Sequence, residues 1–314
     1  VIVVAGLTPA WQQIMRFPAL RVGEVNRAAE VVWCASGKVL NVGLALASLG
    51  SASRTISPVG GPARETFERD FAAVGAPVDW IATDEPTRVC TTLLDESTGV
   101  TTELVENARP LSAADLHAYV EAFHKAAGEA AVAVFTGSLP GAVSTNFYRD
   151  LAEKTHAKLI VDARGPELLA MFEGTRKPFL VKPNREELAK TVRRELTTDV
   201  ELFAAMRELN ERGAEWVVVT QGKDAVWASS HREGLHRFTP PRVDRVVNPI
   251  GCGDCCCAGI AYGLTIGRGV LHSIALGMAA ATDNLGSLLP ARLDKDRVDR
   301  IAATITAEKI EPSA

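Results

Sequence analysis

The sequence predicts an α/β fold, a mainly parallel central sheet accompanied by helices, with a small β-sheet standing off it as a lid. Three observations carry that prediction. Short apolar runs of strand type alternate with helical segments through most of the chain, at the spacing of right-handed βαβ units. The rhythm breaks twice, over about residues 9–34 and 86–108, where β-rich runs replace helices and can pair with one another as the lid. Finally, 314 residues, 47% hydrophobic and 23% charged, suffice for a large core, and the chain reads as a single domain over 1–314.

In chain order, Val1 to Ala5 is an apolar run ending at Gly6, the pattern of a strand buried on both faces. Thr8 to Trp33 lack a helical period, and alternation near Val22 to Val32 suggests edge strands of the small sheet. A helix begins in Ser36-Gly37-Lys38, carries apolar residues to Leu49 and stops at Gly50, a natural C-terminal glycine. A strand near Thr55 to Val59, a helix from Arg64 to Val74 and a strand near Val78 to Ile81 follow. Val89 to Leu94 and Thr101 to Val105 flank Asp95-Glu96-Ser97-Thr98-Gly99, a hairpin signal. From Ser112 the alternation resumes, with a helix to Ala127, a strand over Ala131 to Phe135, a helix over Asn146 to Thr155 and a strand over Lys158 to Val161. A strand at Phe179 to Val181, helices near Arg185 to Val192 and Val200 to Glu211, and a strand at Trp216 to Val219 complete it. The chain from Asp254 onward reads as successive helices punctuated by Gly269 and Pro290.

A formal net charge of −4 argues against a nucleic-acid partner, which favours a basic face. No apolar run is long enough to span a bilayer, and Val-Ile-Val-Val-Ala-Gly has neither a basic region nor a cleavage site, so a cytoplasmic protein with no membrane partner is expected. Six cysteines, three of them consecutive at Cys255, Cys256 and Cys257, form no spaced disulfide framework and fit a reducing compartment.

The stretch richest in chemistry runs from Asn248 to Tyr262. Gly251 and Gly253 free the backbone for positive φ and close ligand approach, and Asp254 is a capping residue type before a helical run. Such a turn aims unpaired N–H groups and the positive end of a helix dipole at one spot, which suits a phosphate. A carboxylate there repels the anion unless it serves as a base, as phosphoryl transfer requires; the alternative is a glycine turn merely capped by aspartate. Cys252 and Cys255 flank this helix start, an environment expected to favour thiolate, with Asp254 opposing. In a parallel sheet, ligands bind beyond the carboxyl ends of the strands. Residues at those ends include Ser138, Asp162, Lys182-Pro183-Asn184-Arg185-Glu186-Glu187 and Thr220-Gln221-Gly222-Lys223. Singly they read as turn, cap or loop residues, Asn184 and Glu187 at capping-box spacing; together they suit magnesium, polyphosphate and sugar hydroxyls.

Gly251-Cys252-Gly253-Asp254 resembles the Gly-Ala-Gly-Asp signature of the PfkB, or ribokinase-like, carbohydrate kinases, and Asn184-Arg185-Glu186-Glu187 their Asn-x-x-Glu motif. Ser36 to Gly43 is similar to their N-terminal glycine-lysine-asparagine signature. Gly23 to Arg27 and Leu180 to Asn184 are similar to the 1-phosphofructokinase and tagatose-6-phosphate kinase branch. The resemblance spans nearly the whole chain. It implies a ribokinase-like αβα sandwich with a β-sheet lid, ATP and Mg2+, and phosphoryl transfer to a hydroxyl of a small sugar or sugar phosphate. By the same resemblance Asp254 is the base, and the amides of Gly251, Cys252 and Gly253 form the anion hole. Asn184 and Glu187 organise magnesium, while Lys182, Asn184, Thr220, Gly222 and Asn284 line the nucleotide. Gln12, Gly37, Lys38, Asn41 and Ser138 face the acceptor, with Arg27 and Arg88 on its phosphate; arginine's fork gives two directed bonds to such a group.

Some positions depart from the pattern. The opening Asn-Pro-x-x-Asp is Thr8-Pro9-Ala10-Trp11-Gln12, so Gln12 stands where a carboxylate usually holds sugar hydroxyls. Ser36 and Val39 replace glycines, and a valine there is expected to crowd the sugar or alter the turn. Two other readings stand beside a kinase of a ketohexose phosphate. One is a kinase of an unphosphorylated sugar or nucleoside, or a related binding protein without turnover; the other is a Cys252-Gly-Asp-Cys255 metal or redox site. Unpaired lid edges invite pairing into a homodimer.

Overall fold

The computed structural model describes residues 1–311. It opens with β1 (Ile2–Ala5), β2 (Ala10–Phe17), β3 (Glu30–Ser36), α1 (Lys38–Ser48), β4 (Ser53–Gly60), α2 (Ala63–Ala73), β5 (Val78–Thr83), β6 (Val89–Asp95) and β7 (Thr101–Val105). There follow α3 (Ala113–Ala127), β8 (Val132–Thr136), α4 (Phe147–Ala152), β9 (Lys158–Asp162), α5 (Gly165–Met171), β10 (Leu180–Val181), α6 (Arg185–Val192), α7 (Asp199–Glu211) and β11 (Trp216–Val219). The chain ends through β12 (Val226–Ser230), β13 (Gly234–Phe238), α8 (Cys252–Thr265), α9 (Val270–Asn284), α10 (Lys295–Ala302) and β14 (Ala307–Ile310).

The main sheet has ten strands in the order β14-β13-β12-β11-β10-β9-β8-β1-β4-β5. From β11 to β5 every neighbouring pair is parallel, and β12, β13 and β14 extend the edge in antiparallel fashion. Alternation along β1 shows why helices cover both faces: Ile2 and Val4 join one apolar cluster, Val3 and Ala5 the other. The first cluster takes α1, α2, α8, α9 and α10; the second takes α3 to α7. That is an αβα sandwich. The chain leaves β1 toward β4 and β5, then returns to β8 on its other side, so the direction switches between β1 and β8.

The four-stranded sheet β3-β2-β6-β7 stands apart from the main one. Its strands begin earlier than the alternation near Val22 suggested, because Pro18 to Ala29 form the connection between β2 and β3. Ile14, Cys34 and Leu94 pack on Leu288 and Leu289 and seat this sheet on the body. Four elements are absent from the sequence reading. The helix α5 is short and opens on Gly165-Pro166, and β12 to β14 mix serine, histidine and charge among few apolar residues, so neither gives a strong period. The segment after Asp254 is therefore not all helix: β14 closes the sheet edge on β13. Among the described residues no helix is long and apolar enough to cross a membrane.

Candidate active site

At the carboxyl ends of β9 and β10 the body and the lid sheet enclose a cleft of about 330 Å³. Its floor is the start of α8. Gly251 takes φ +84° as the N-cap, a left-handed conformation that favours glycine, and lets the chain turn into the helix. Gly253 does not use this freedom, since it already lies in the helix, and Asp254 sits in the first turn without making a capping bond. First-turn N–H groups have no carbonyl one turn back to bond. Of the three amides assigned to an anion hole, that of Cys252 is partly engaged, donating to Pro249 O at 3.3 Å.

Asp254 is 7% exposed and accepts a hydrogen bond from Asn41 Nδ2 at 2.7 Å. Asn41 is itself fixed, because its Oδ1 accepts from Ser36 Oγ at 3.2 Å. Ser36 thus positions the partner of the carboxylate. Burial pushes the Asp254 carboxyl from its ordinary 3.8 up to about 6, against the pull of Lys38. Gly37, at φ +87°, is needed for the approach of α1: a Cβ there would meet Ala10 N and Thr8 O at 2.9 Å. Val39 is 1% exposed inside the core, so it neither crowds the cleft nor alters this turn.

One helical position beyond Gly37, Lys38 reaches Asp162 Oδ1 at 3.1 Å and Glu187 Oε1 at 3.2 Å. Lys182 approaches Asp162 Oδ1 at 3.6 Å, and a Cβ built on Gly253 would lie 3.7 Å from its ammonium. Burial works against charge on all three of Lys38, Lys182 and Asp162, and their mutual attraction wins. Both ammonium groups are held above the ordinary lysine range and the Asp162 carboxyl below its own. Asp162 Oδ2 is buried with no hydrogen-bond partner. Its place at the carboxyl end of β9 was the sequence signal for a residue whose role only the ion network reveals.

Asn184 caps α6 in a reciprocal capping box: its Oδ1 accepts from Glu187 N at 2.8 Å, and Glu187 Oε2 accepts from Asn184 N at 3.0 Å. The capping reading of this pair and its place in the cleft therefore hold together. Lys182, Asn184, Glu187 and Thr220 all line the cleft. Gly222 lies outside the cleft lining on the exposed turn after β11.

The remaining residues divide between the cleft and its surroundings. Asn284 is fully buried and does not line the cleft; its Nδ2 donates to Ile250 O at 2.9 Å and its Oδ1 accepts from Ala291 N at 2.7 Å, so it braces the loop before α8 from behind. Arg27 is exposed on the connection between β2 and β3 and lies outside the cleft lining. Ser138 is exposed and also outside it, its carbonyl accepting from Thr8 Oγ1 at 3.1 Å. Arg88 does line the cleft, but its guanidinium already donates to Pro9 O, Thr8 O and Glu106 O at 3.0 to 3.2 Å. Gln12 faces the cleft from β2, 2% exposed, with Nε2 donating to Thr92 Oγ1 at 2.7 Å. Cys252 does not favour thiolate: burial pushes its thiol up to about 11, although the bond from Asn284 Nδ2 at 3.3 Å works the other way. Among the described residues no group of three or more metal-ligating side chains forms at these cysteines or elsewhere.

The profile of the pfkB family of carbohydrate kinases matches residues 3–288. The fold is similar to phosphofructokinase-2 from Escherichia coli in complex with substrates and products, with a TM-score of 0.86 at 26% identity over 96% of this chain and 97% of that one. A possible 1-phosphofructokinase from Thermotoga maritima superposes with a TM-score of 0.88 at 19% identity, covering 99% of each chain. Ribokinase from Thermotoga maritima gives 0.75 at 16% identity over 96% of this chain and 98% of that one. The last two show the shared ribokinase-like fold. With the family profile spanning most of its length and the buried aspartate at its glycine turn, the chain belongs to the pfkB family carbohydrate kinases.

Proposed function

We propose that this sugar kinase transfers the γ-phosphoryl group of ATP to a hydroxyl of a ketohexose phosphate of the fructose 1-phosphate or tagatose 6-phosphate type. The observation that carries the reading is Asp254, buried at the first turn of α8, oriented by Asn41 and flanked by the ammonium groups of Lys38 and Lys182. Its carboxyl, raised to about 6, is ionised at neutral pH and still basic enough to take the proton of an attacking hydroxyl. The two lysines and the free first-turn amides offset the negative charge of the transferring group.

Magnesium fits the chemistry of this donor set. Asn184 Oδ1 accepts the cap bond and so orients Glu187, keeping a second lone pair on the cleft side it lines, and the carboxylates that would hold Mg2+, through water, are Glu187 and Asp162, whose Oδ2 has no partner. When bound, the ion neutralises charge on the phosphates. Thr220 serves the nucleotide side, and Gly222, on its exposed turn, stands at the outer edge of that side. The lid also exposes Val31, Trp33 and Leu104, an apolar set that supports a homodimer through the lid, measurable by light scattering.

A second reading, an unphosphorylated acceptor, is favoured by the engagement of Arg88 with three carbonyls and by the distance of Arg27 from the cleft lining. One experiment decides between them: ADP release measured with fructose 1-phosphate, tagatose 6-phosphate, fructose and ribose as acceptors. A preference for the phosphorylated ketoses supports the first reading, and a preference for free sugars the second. Absence of acceptor-dependent ADP release refutes both.

A further inference from the structure

We infer that Glu103, on the lid strand β7, is an acceptor-binding residue that supplies the carboxylate contact to sugar hydroxyls which Gln12 cannot. This rests on the kinase reading above and adds a residue that nothing in the sequence motifs singles out.

The placement follows from strand geometry. Successive residues of β7 point to opposite faces, and Glu103 and Val105 line the cleft. Glu103 pairs with Thr92 of β6, and Thr92 receives the amide of Gln12 from β2. Gln12, Thr92 and Glu103 therefore run across three adjacent strands on the cleft side of the lid. Thr92 and Gln12 are buried, at 0% and 2% exposure, and Glu103 is the exposed member of the row.

The chemistry separates Gln12 from Glu103. Gln12 gives one Nε2 hydrogen to Thr92, and the only acceptor it presents is a neutral amide oxygen. The Glu103 carboxylate accepts no hydrogen bond and forms no ion pair among the described residues. Arg88 is the cation whose charge bears on it, and three of that guanidinium's five N–H groups go to backbone carbonyls rather than to Glu103. The other cleft carboxylates each have at least one protein partner: Asp162 and Glu187 hold Lys38, and Asp254 takes Asn41. Glu103 is the carboxylate left to accept from two neighbouring hydroxyls of the acceptor, the pattern of a vicinal diol.

The test is steady-state kinetics of wild type, Glu103→Gln and Glu103→Asp with the best ketose acceptor and with its singly deoxygenated analogues. Glu103→Gln should lower kcat/KM for the acceptor by about tenfold to a hundredfold, the range for one or two charge-assisted hydrogen bonds, with KM for ATP unchanged. Glu103→Asp should restore part of the loss. One deoxy analogue should be poor for wild type, yet no poorer than the parent sugar for Glu103→Gln; a structural role predicts no such pairing of residue and hydroxyl. An active wild type with kcat/KM unchanged in Glu103→Gln overturns the inference while leaving the kinase reading intact. Wild type without acceptor-dependent turnover overturns both.

Discussion

Asp254→Asn should lower kcat by about a hundredfold or more and at the same time make the protein more stable. The side chain is 7% exposed, and folding raises its carboxyl from 3.8 to about 6. A carboxyl with a raised folded-state value is less willing to ionise in the folded protein than in the unfolded chain. The sign follows: below about pH 4 both states are protonated and the residue costs nothing; between 4 and 6 the cost grows; above 6 it is complete. The two values correspond to about 3 kcal/mol at pH 8. Asparagine removes that cost and keeps an oxygen to accept from Asn41 Nδ2, now 2.7 Å away. It also removes the base, worth about a hundredfold or more in kcat. Urea denaturation at pH 4, 6 and 8 beside a coupled ADP assay reads both effects. The stability gain should vanish at pH 4, and the wild-type rate should fall as pH drops through about 6. If the variant is no more stable than wild type at pH 8, the buried-carboxylate argument fails; if it turns over at near wild-type rate, Asp254 is not the base.

Four other outcomes are expected. Lys182→Met leaves the buried Asp162 with Lys38 alone at 3.1 Å, which should cost about 3 kcal/mol in urea denaturation; a loss near zero refutes the network. Arg88→Ala should cut kcat/KM for phosphorylated ketoses by about tenfold or more and spare residual activity on free sugars; an unchanged preference removes Arg88 from phosphate recognition. Gln12→Asp places a carboxylate beside Thr92, 2.7 Å from the present amide, and should raise kcat/KM for ketose phosphates about tenfold, with no gain counting against it. Cys252, its thiol raised to about 11, should react with iodoacetamide at pH 8 at least about tenfold more slowly than a free small-molecule thiol, by peptide mapping; an equal rate contradicts its burial.

The sequence by itself determined the layer order, the small sheet and the glycine turn that carries Asp254. Those are local facts. Buried parallel strands such as Ile2–Ala5 are apolar throughout, helices such as α3 carry their own capping box at Ser112, and the Gly251 turn needs glycine for its positive φ. Where local pattern is weak, as in the strands β12 to β14, the sheet edge was not legible, because successive pairing outward from β11 holds those strands and not their own period. What tertiary structure alone decided is which polar groups remain free. Asn184 and Glu187 cap each other, Arg88 gives three of its five N–H groups to carbonyls, and Asn284 is sealed behind the loop it braces. The same burial that raised Asp254 toward a base's range held Cys252 as a thiol, although a helix start beside an anion site had suggested the reverse. Residue type and spacing fix what a side chain is able to do; desolvation and competing partners, which come from segments far apart in the chain, settle what it is left to do.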